Sequence, residues 1–162
     1  MDENVINVSL GNHERASDSC ELRATRLLIR ISREGRIVLD DEGRMLAQYQ
    51  DKGVPAGATW PVAARIVGQF LVDLLSNRSS PGFAELVRIT PRGHDGDYEE
   101  FPTDPDLAKF DLNGRKWVAA AIVSSHSPEI VNVSDSDYVE FREPLERYVR
   151  LNFLCPELFR AQ

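Results

Sequence analysis

The chain has 162 residues, enough to bury one hydrophobic core, and carries a formal charge of −7 from 26 acidic and 19 basic residues. So acidic a chain is not drawn as a whole onto RNA, DNA or an anionic bilayer, and any such partner needs a local basic patch. No apolar run is long enough to span a bilayer, and the opening MDENVINVSLGN lacks the basic and apolar regions of a secretory leader.

No membrane partner is expected, and a cytoplasmic location is. The Asn-x-Ser triplets at Asn7, Asn77 and Asn132 then carry no glycosylation signal. Cys20 and Cys155 form no CxxC unit, so they read as small core hydrophobes in a reducing compartment rather than as zinc ligands.

Apolar residues Cys20, Ala24, Leu27, Leu28 and Ile31 share one helical face, which predicts a helix over 18–34 with Asp18 as its cap and Gly35 as its stop. Arg36–Leu39 reads as a short strand. Asp40 and Asp41 follow it and are placed to cap a helix over about 42–51, ending near Gly53. After a Gly/Pro loop over 52–60, Pro61 suits the first position of a mostly buried helix over 61–76. Glu85–Thr90 reads as a strand ended by Pro91. Residues 91–115 form a long acidic connection, whose His94 and Asp95 read as solvated loop residues. An Ala-rich helix is predicted over 116–125, a strand over 129–133, a helix over 138–149 interrupted by Pro144, and a last strand over 151–154. Strands alternating with helices argue for an α/β fold with a parallel sheet, whose ligand site lies at the carboxyl ends of the strands.

The acids at strand ends are therefore the first candidates for chemistry. Asp135 and Asp137 follow the strand EIVNV at once, where short, firmly held carboxylates suit a hard divalent ion. The plainer alternative is a helix cap or an Asx-turn. Asp2 has only Met1 before it and otherwise reads as a frayed acidic terminus. Asp111 stands just ahead of the Ala-rich helix and could cap it. Arg23, Arg26, Arg30 and Arg33 line one side of the helix over 18–34. They could follow a phosphate backbone, or form a solvated face balanced by nearby acids.

The segments DENVI, RIVLDDEGRMLAQY, FDLNGRKWVAAAIVSS, EIVNVSDSDYVEFREPL and NFLCP resemble, in order and spacing, a bacterial PIN-like domain family related to Mg²⁺-dependent nucleases. The resemblance covers nearly the whole chain. It implies a single domain over 1–162 and a three-layer α/β/α sandwich with a central parallel sheet. It also implies four acidic positions meeting at the strand ends. The first matches Asp2. The second falls on Gln48, in a Gln48–Tyr49 pair where the family has Glu-Tyr. The third falls on Gly114, in Gly114–Arg115–Lys116 where the family has Asp-Arg-Lys. The fourth is the Asp-x-Asp pair, intact as Asp135 and Asp137.

The implied activity is a metal-dependent ribonuclease of toxin–antitoxin type, with RNA as substrate, an antitoxin as partner, and Asp2, Asp135 and Asp137 as catalytic and metal-binding residues. Two Mg²⁺ ions about 3.5–4 Å apart repel and need dense negative charge. With Gln48 and Gly114 in place of acids, one weakly bound Mg²⁺ or Mn²⁺ is expected, and Asp111 could partly substitute. The alternative is a degenerate module that binds RNA or a protein partner through the arginine row. A first strand ending at Asp2 is almost absent. Either sequence upstream of Met1 supplies it, or its loss leaves sheet edges unpaired and a gap that a partner could fill.

Overall fold

The computed structural model describes residues 1–52, 62–93 and 96–159. Helix α1 (Asn4–Ser9) opens the chain and buries Val5, Ile6 and Val8 completely. The terminus is therefore not frayed: Asp2 is 2% exposed, and its backbone N–H donates to the Val131 carbonyl at 3.0 Å. Helix α2 (Asp18–Glu34) has the predicted bounds. Its cap is Ser17 rather than Asp18; the Ser17 hydroxyl accepts from the Cys20 N–H, and Asp18 begins the first turn. Gly35 ends α2 by close approach, since a Cβ there would lie 2.8 Å from the Ile31 Cα.

Strand β1 (Ile37–Asp40) leads into α3 (Arg44–Asp51). Both Asp40 oxygens are used at that junction, accepting from the N–H groups of Arg44 and Met45, as the cap expectation required. Helix α4 (Val62–Asn77) follows; Pro61, Gly53 and the predicted loop lie outside the described residues in whole or part. Helix α4 is amphipathic rather than mostly buried: Val67, Phe70 and Leu74 are inside, while Val62 and Val72 are exposed. Strand β2 (Ala84–Val87) is shorter than predicted.

The long connection has structure of its own. Strands β3 (Pro91–Arg92) and β4 (Asp97–Tyr98) pair antiparallel, and a 3₁₀ turn covers Pro105–Leu107. His94 and Asp95 are outside the described residues. Helix α5 (Leu112–Val123) starts four residues before the predicted Lys116, because Asp111 caps it by accepting from the Asn113 N–H. Strand β5 (Glu129–Asn132) is followed by two short helices, α6 (Asp137–Glu140) and α7 (Arg142–Leu145), in place of one helix over 138–149. The break falls at Phe141, and Pro144 then sits in a first turn, where its missing N–H costs nothing. Strand β6 (Arg150–Phe153) and a 3₁₀ turn at Pro156–Phe159 complete the described chain.

The fold is mixed α/β with small parallel sheets. Strands β1 and β2 pair in parallel, with Ile37 opposite Ala84, and β5 and β6 pair in parallel, with Glu129 opposite Arg150. These ladders do not join: among the described residues the strands form three two-stranded sheets, not the one continuous sheet expected from the sequence. Helix α5 packs on both β1 and β5, and α2 packs on α1 and α4. One hydrophobic cluster links these elements, and each fully buried Leu, Ile or Phe in it contributes roughly 1.5–3 kcal/mol by leaving water.

Cys20 and Cys155 are buried, as expected, but not as free thiols. They form a disulfide that joins positions 135 residues apart and ties α2 to the segment after β6. The spacing of two distant cysteines in sequence carries no sign of such a meeting.

Candidate functional site

A cavity of about 340 Å³ opens where β5 ends and α1, α3 and α5 meet. Asp2 and Asp135 line it, together with Gln48 from α3 and Asp111 and Gly114 from the start of α5. These positions come from four separate stretches of chain. Asp137 is not in the lining. Its N–H donates to an Asp135 oxygen at 2.9 Å, so the Asx-turn reading describes this corner, and Asp137 acts on Asp135 through its charge.

The backbone fixes each acid. Asp2 is held by its own N–H on Val131, by the Asn4 N–H donating to its carboxylate, and by the Tyr49 hydroxyl donating to the Met1 carbonyl. Asp135 is clamped by Asn132, which is fully buried. The Asn132 amide donates to the Asp135 carbonyl at 2.7 Å, while its side-chain oxygen accepts from the Asp135 N–H at 3.1 Å. Asn132 in sequence is one member of an Asn-x-Ser triplet, so its part in the site was illegible there.

The cavity crowds negative charge. Burial, then the adjacent Glu3 carboxylate and the Asp135 charge, push the Asp2 carboxyl well above the usual range. Burial, with the charges of Asp137, Asp111 and Glu3, raises Asp135 as well. Glu3 and Asp51 also line the cavity and were not singled out in sequence. The only hint was that Glu3 adjoins Asp2, a neighbour relation that normally sends the two side chains apart. Lys116 is buried beside this group. Burial lowers its ammonium, and the charges of Glu3, Asp2, Asp111 and Asp40 hold it up. Lys52 lines the cavity as well, so the chain brings cations of its own to these acids.

Glu3 Oε2 and Gln48 Oε1 are buried away from any N–H or hydroxyl donor, and the Asp2 carboxyl, when protonated, shares a hydrogen bond with the Glu3 side chain. All the free donors are hard oxygens, which suits Mg²⁺ or Mn²⁺. Their spread is wide: among the described residues, no three cavity carboxylates bring an oxygen each within 4.8 Å of one another. Any ion held there would have to keep much of its water. The compact ligand-type cluster that does exist, Cys20, Cys155 and Glu157, has its sulfurs spent on the disulfide.

Gly114 is closely packed by its surroundings. A Cβ built there would lie 2.8 and 2.9 Å from the ring of Phe110, which is packed between Phe101, Tyr138 and Phe141. Phe110 therefore occupies the room that an aspartate at 114 would need. The arginine row is also not a uniform face. Arg23 pairs with Glu157, Arg30 lines a different cavity, Arg26 and Arg33 are exposed, and none of the four lines the acidic cavity. Among the described residues, no helix is long and apolar enough to cross a membrane. Compared with protein-family models, curated proteins and solved structures, the chain matches none.

Proposed function

We propose that the chain is a PIN-like domain, a metal-dependent ribonuclease of toxin–antitoxin type with an impaired acidic site, built as a three-layer α/β/α sandwich. The observation that carries this reading is convergence. Asp2, Gln48, Gly114 and Asp135, the positions to which the resemblance assigns the family's acids, all line one cavity. Two parallel ladders flanked by helices support the α/β class within which such a sandwich falls. With the proposal go a cytoplasmic location and an antitoxin partner, although a buried disulfide is more usual in oxidising compartments.

One Mg²⁺ or Mn²⁺, when bound, would supply Lewis-acid stabilisation and activate water for in-line attack on a phosphodiester. Asp2 and Asp135 would hold it, with Gln48 Oε1 and Glu3 Oε2 as further oxygen donors and Asp111 at the rim. Asn132 would fix the Asp135 turn, and Lys116 would offset part of the negative charge when the ion is absent.

The test is incubation of the protein with a fluorescent RNA oligonucleotide in Mn²⁺ and in EDTA. Cleavage with metal only, lost in Asp135→Asn, is the expected result. The Gln48→Glu variant should bind Mg²⁺ more tightly by calorimetry; an unchanged affinity would remove the metal from this cavity.

A second reading has its own support. Gln48 in place of an acid, the Phe110 ring against Gly114 and the wide spacing of the carboxylates all fit a module that no longer cleaves. It would bind RNA or a protein partner, with Arg26, Arg30 and Arg33 as the remaining exposed cations of the row. RNA retention without cleavage, weakened in Arg26→Ala/Arg33→Ala, would select it.

A further inference from the structure

Away from the acidic cavity, Cys20, Cys155 and Glu157 bring two sulfurs and a carboxylate oxygen within 4.8 Å of one another. Among the described residues no other three His, Cys, Asp or Glu side chains meet so closely. Two distant stretches of chain bring them together. Cys20 stands in the first turn of α2, where Ser17 caps the helix by accepting from the Cys20 N–H. The first turn of so long a helix favours negative charge on its side chains. Cys155 comes just after β6, and Glu157 lies in the 3₁₀ turn that follows. Arg23, one turn further along α2, forms an ion pair with Glu157. The Arg23 Nε is buried with no hydrogen-bond partner, so added negative charge beside it is favoured.

In the oxidised chain the two sulfurs are bonded to each other. A dithiol reductant reverses this by exchange: its own two thiols close into a cyclic disulfide, and Cys20 and Cys155 each take up a proton. A divalent zinc ion then displaces both protons and is left with two thiolates and one carboxylate. Sulfurs that share one Zn²⁺ at about 2.3 Å each stand about 3.8 Å apart. The Cα atoms are 5.7 Å apart, so rotation of the two side chains reaches that span without moving the backbone. Two positive charges against three negative ones leave the group at −1, and the Arg23 guanidinium offsets it. Sulfur donors select a thiophilic ion, whereas the acidic cavity offers only oxygens.

We infer that Cys20, Cys155 and Glu157 form a site for one Zn²⁺ ion once the disulfide is reduced, with Arg23 holding the Glu157 carboxylate in place. The Glu157 side chain is 42% exposed, so solvent reaches this side of the group and supplies the fourth ligand. In a reducing compartment the ion takes over from the disulfide as the link between α2 and the segment after β6. This inference does not rest on the ribonuclease reading, since none of its residues lines the acidic cavity.

The test titrates the full chain with Co²⁺ after complete reduction by a dithiol and removal of the reductant without air. Thiolate ligands give Co²⁺ a near-ultraviolet charge-transfer band, and four-coordinate geometry gives intense visible bands. Both should saturate at one Co²⁺ per chain and be abolished by Zn²⁺. The oxidised chain keeps the acidic cavity but has no free thiol, and should give neither. Cys155→Ser should lose most of the charge-transfer band, and Glu157→Gln should weaken Co²⁺ binding by about tenfold or more. Zn²⁺ should raise the Tm of the reduced chain by about 5 °C more than it raises that of the oxidised chain. If reduction alone unfolds the chain, refolding on addition of Zn²⁺, read by circular dichroism, is the expected result. A reduced chain that gives no charge-transfer band, or that stays unfolded with Zn²⁺, would overturn the inference. Unchanged affinity in E157Q, or saturation at one ion per two chains, would overturn it as well.

Discussion

Asn132 and Gly114 show how single residues set the acidic cavity. Asn132 meets both backbone groups of Asp135, and removing its amide leaves them without those partners. Asn132→Ala should cost about 1–3 kcal/mol of stability by urea denaturation, with an accompanying loss of any metal affinity. A change below about 0.5 kcal/mol would mean that water replaces the amide without penalty. At Gly114 the issue is volume. Gly114→Ala pushes a methyl into the Phe110 ring and should destabilise by about 1–3 kcal/mol. Combining it with Phe110→Leu should cost less than the sum of the two single changes. Restoring an acid at 114 therefore requires a smaller residue at 110 as well, whereas Gln48→Glu needs no such compensation in volume.

At the scale of elements, the turn between α5 and β5 is clasped to β2. Glu85 accepts from the Ser124 hydroxyl and from both the N–H and the hydroxyl of Ser125, and it pairs with His126. Arg36, at the start of β1, holds the other ring nitrogen of His126. Burial works to raise the Glu85 carboxyl, but these hydrogen bonds outweigh it and bring it down to about 2. The folded value lies below the ordinary one, so the ionised clasp contributes its full stability above about pH 4.5. That contribution is lost as the pH falls toward 2. Thermal midpoints of the wild type should thus drop on acidification through this window, and Glu85→Gln should flatten that part of the profile. Identical acid limbs for the two proteins would show that the clasp is not linked to folding. The same turn borders a second cavity, of about 370 Å³, since His126 and Pro128 line it.

Across the whole molecule, the Cys20–Cys155 bond closes a loop of 135 residues that contains nearly every element. In the chain-entropy account, so long a loop places the bond at the upper end of the usual 2–5 kcal/mol range, roughly. Reduction under native conditions should be slow, because both sulfurs are buried. Once reduced, or in Cys20→Ser/Cys155→Ser, the chain should unfold at a Tm lower by about 5–15 °C. A Tm within about 2 °C of the oxidised protein would show that packing around α2 holds the last strand in place unaided.

The sequence by itself determined the local elements whose periodicity is strong and whose ends are chemically marked. Helix α2 falls between Ser17 and Gly35 as its apolar spacing required, and Asp40 caps α3. A resemblance in order and spacing pointed to Asp2, Gln48, Gly114, Asp135 and Asp137, of which the first four line one cavity and Asp137 does not. Only the tertiary structure decided the rest. Strand partners, the gap between β1 and β5, the Cys20–Cys155 bond, the Asn132 clamp and the Phe110 ring in the space at Gly114 all join residues far apart in the chain. A helix reports itself within a few turns because its hydrogen bonds are local. A sheet edge, a cavity or a buried charge cluster exists only once distant segments have packed, and no local pattern encodes which segments those are.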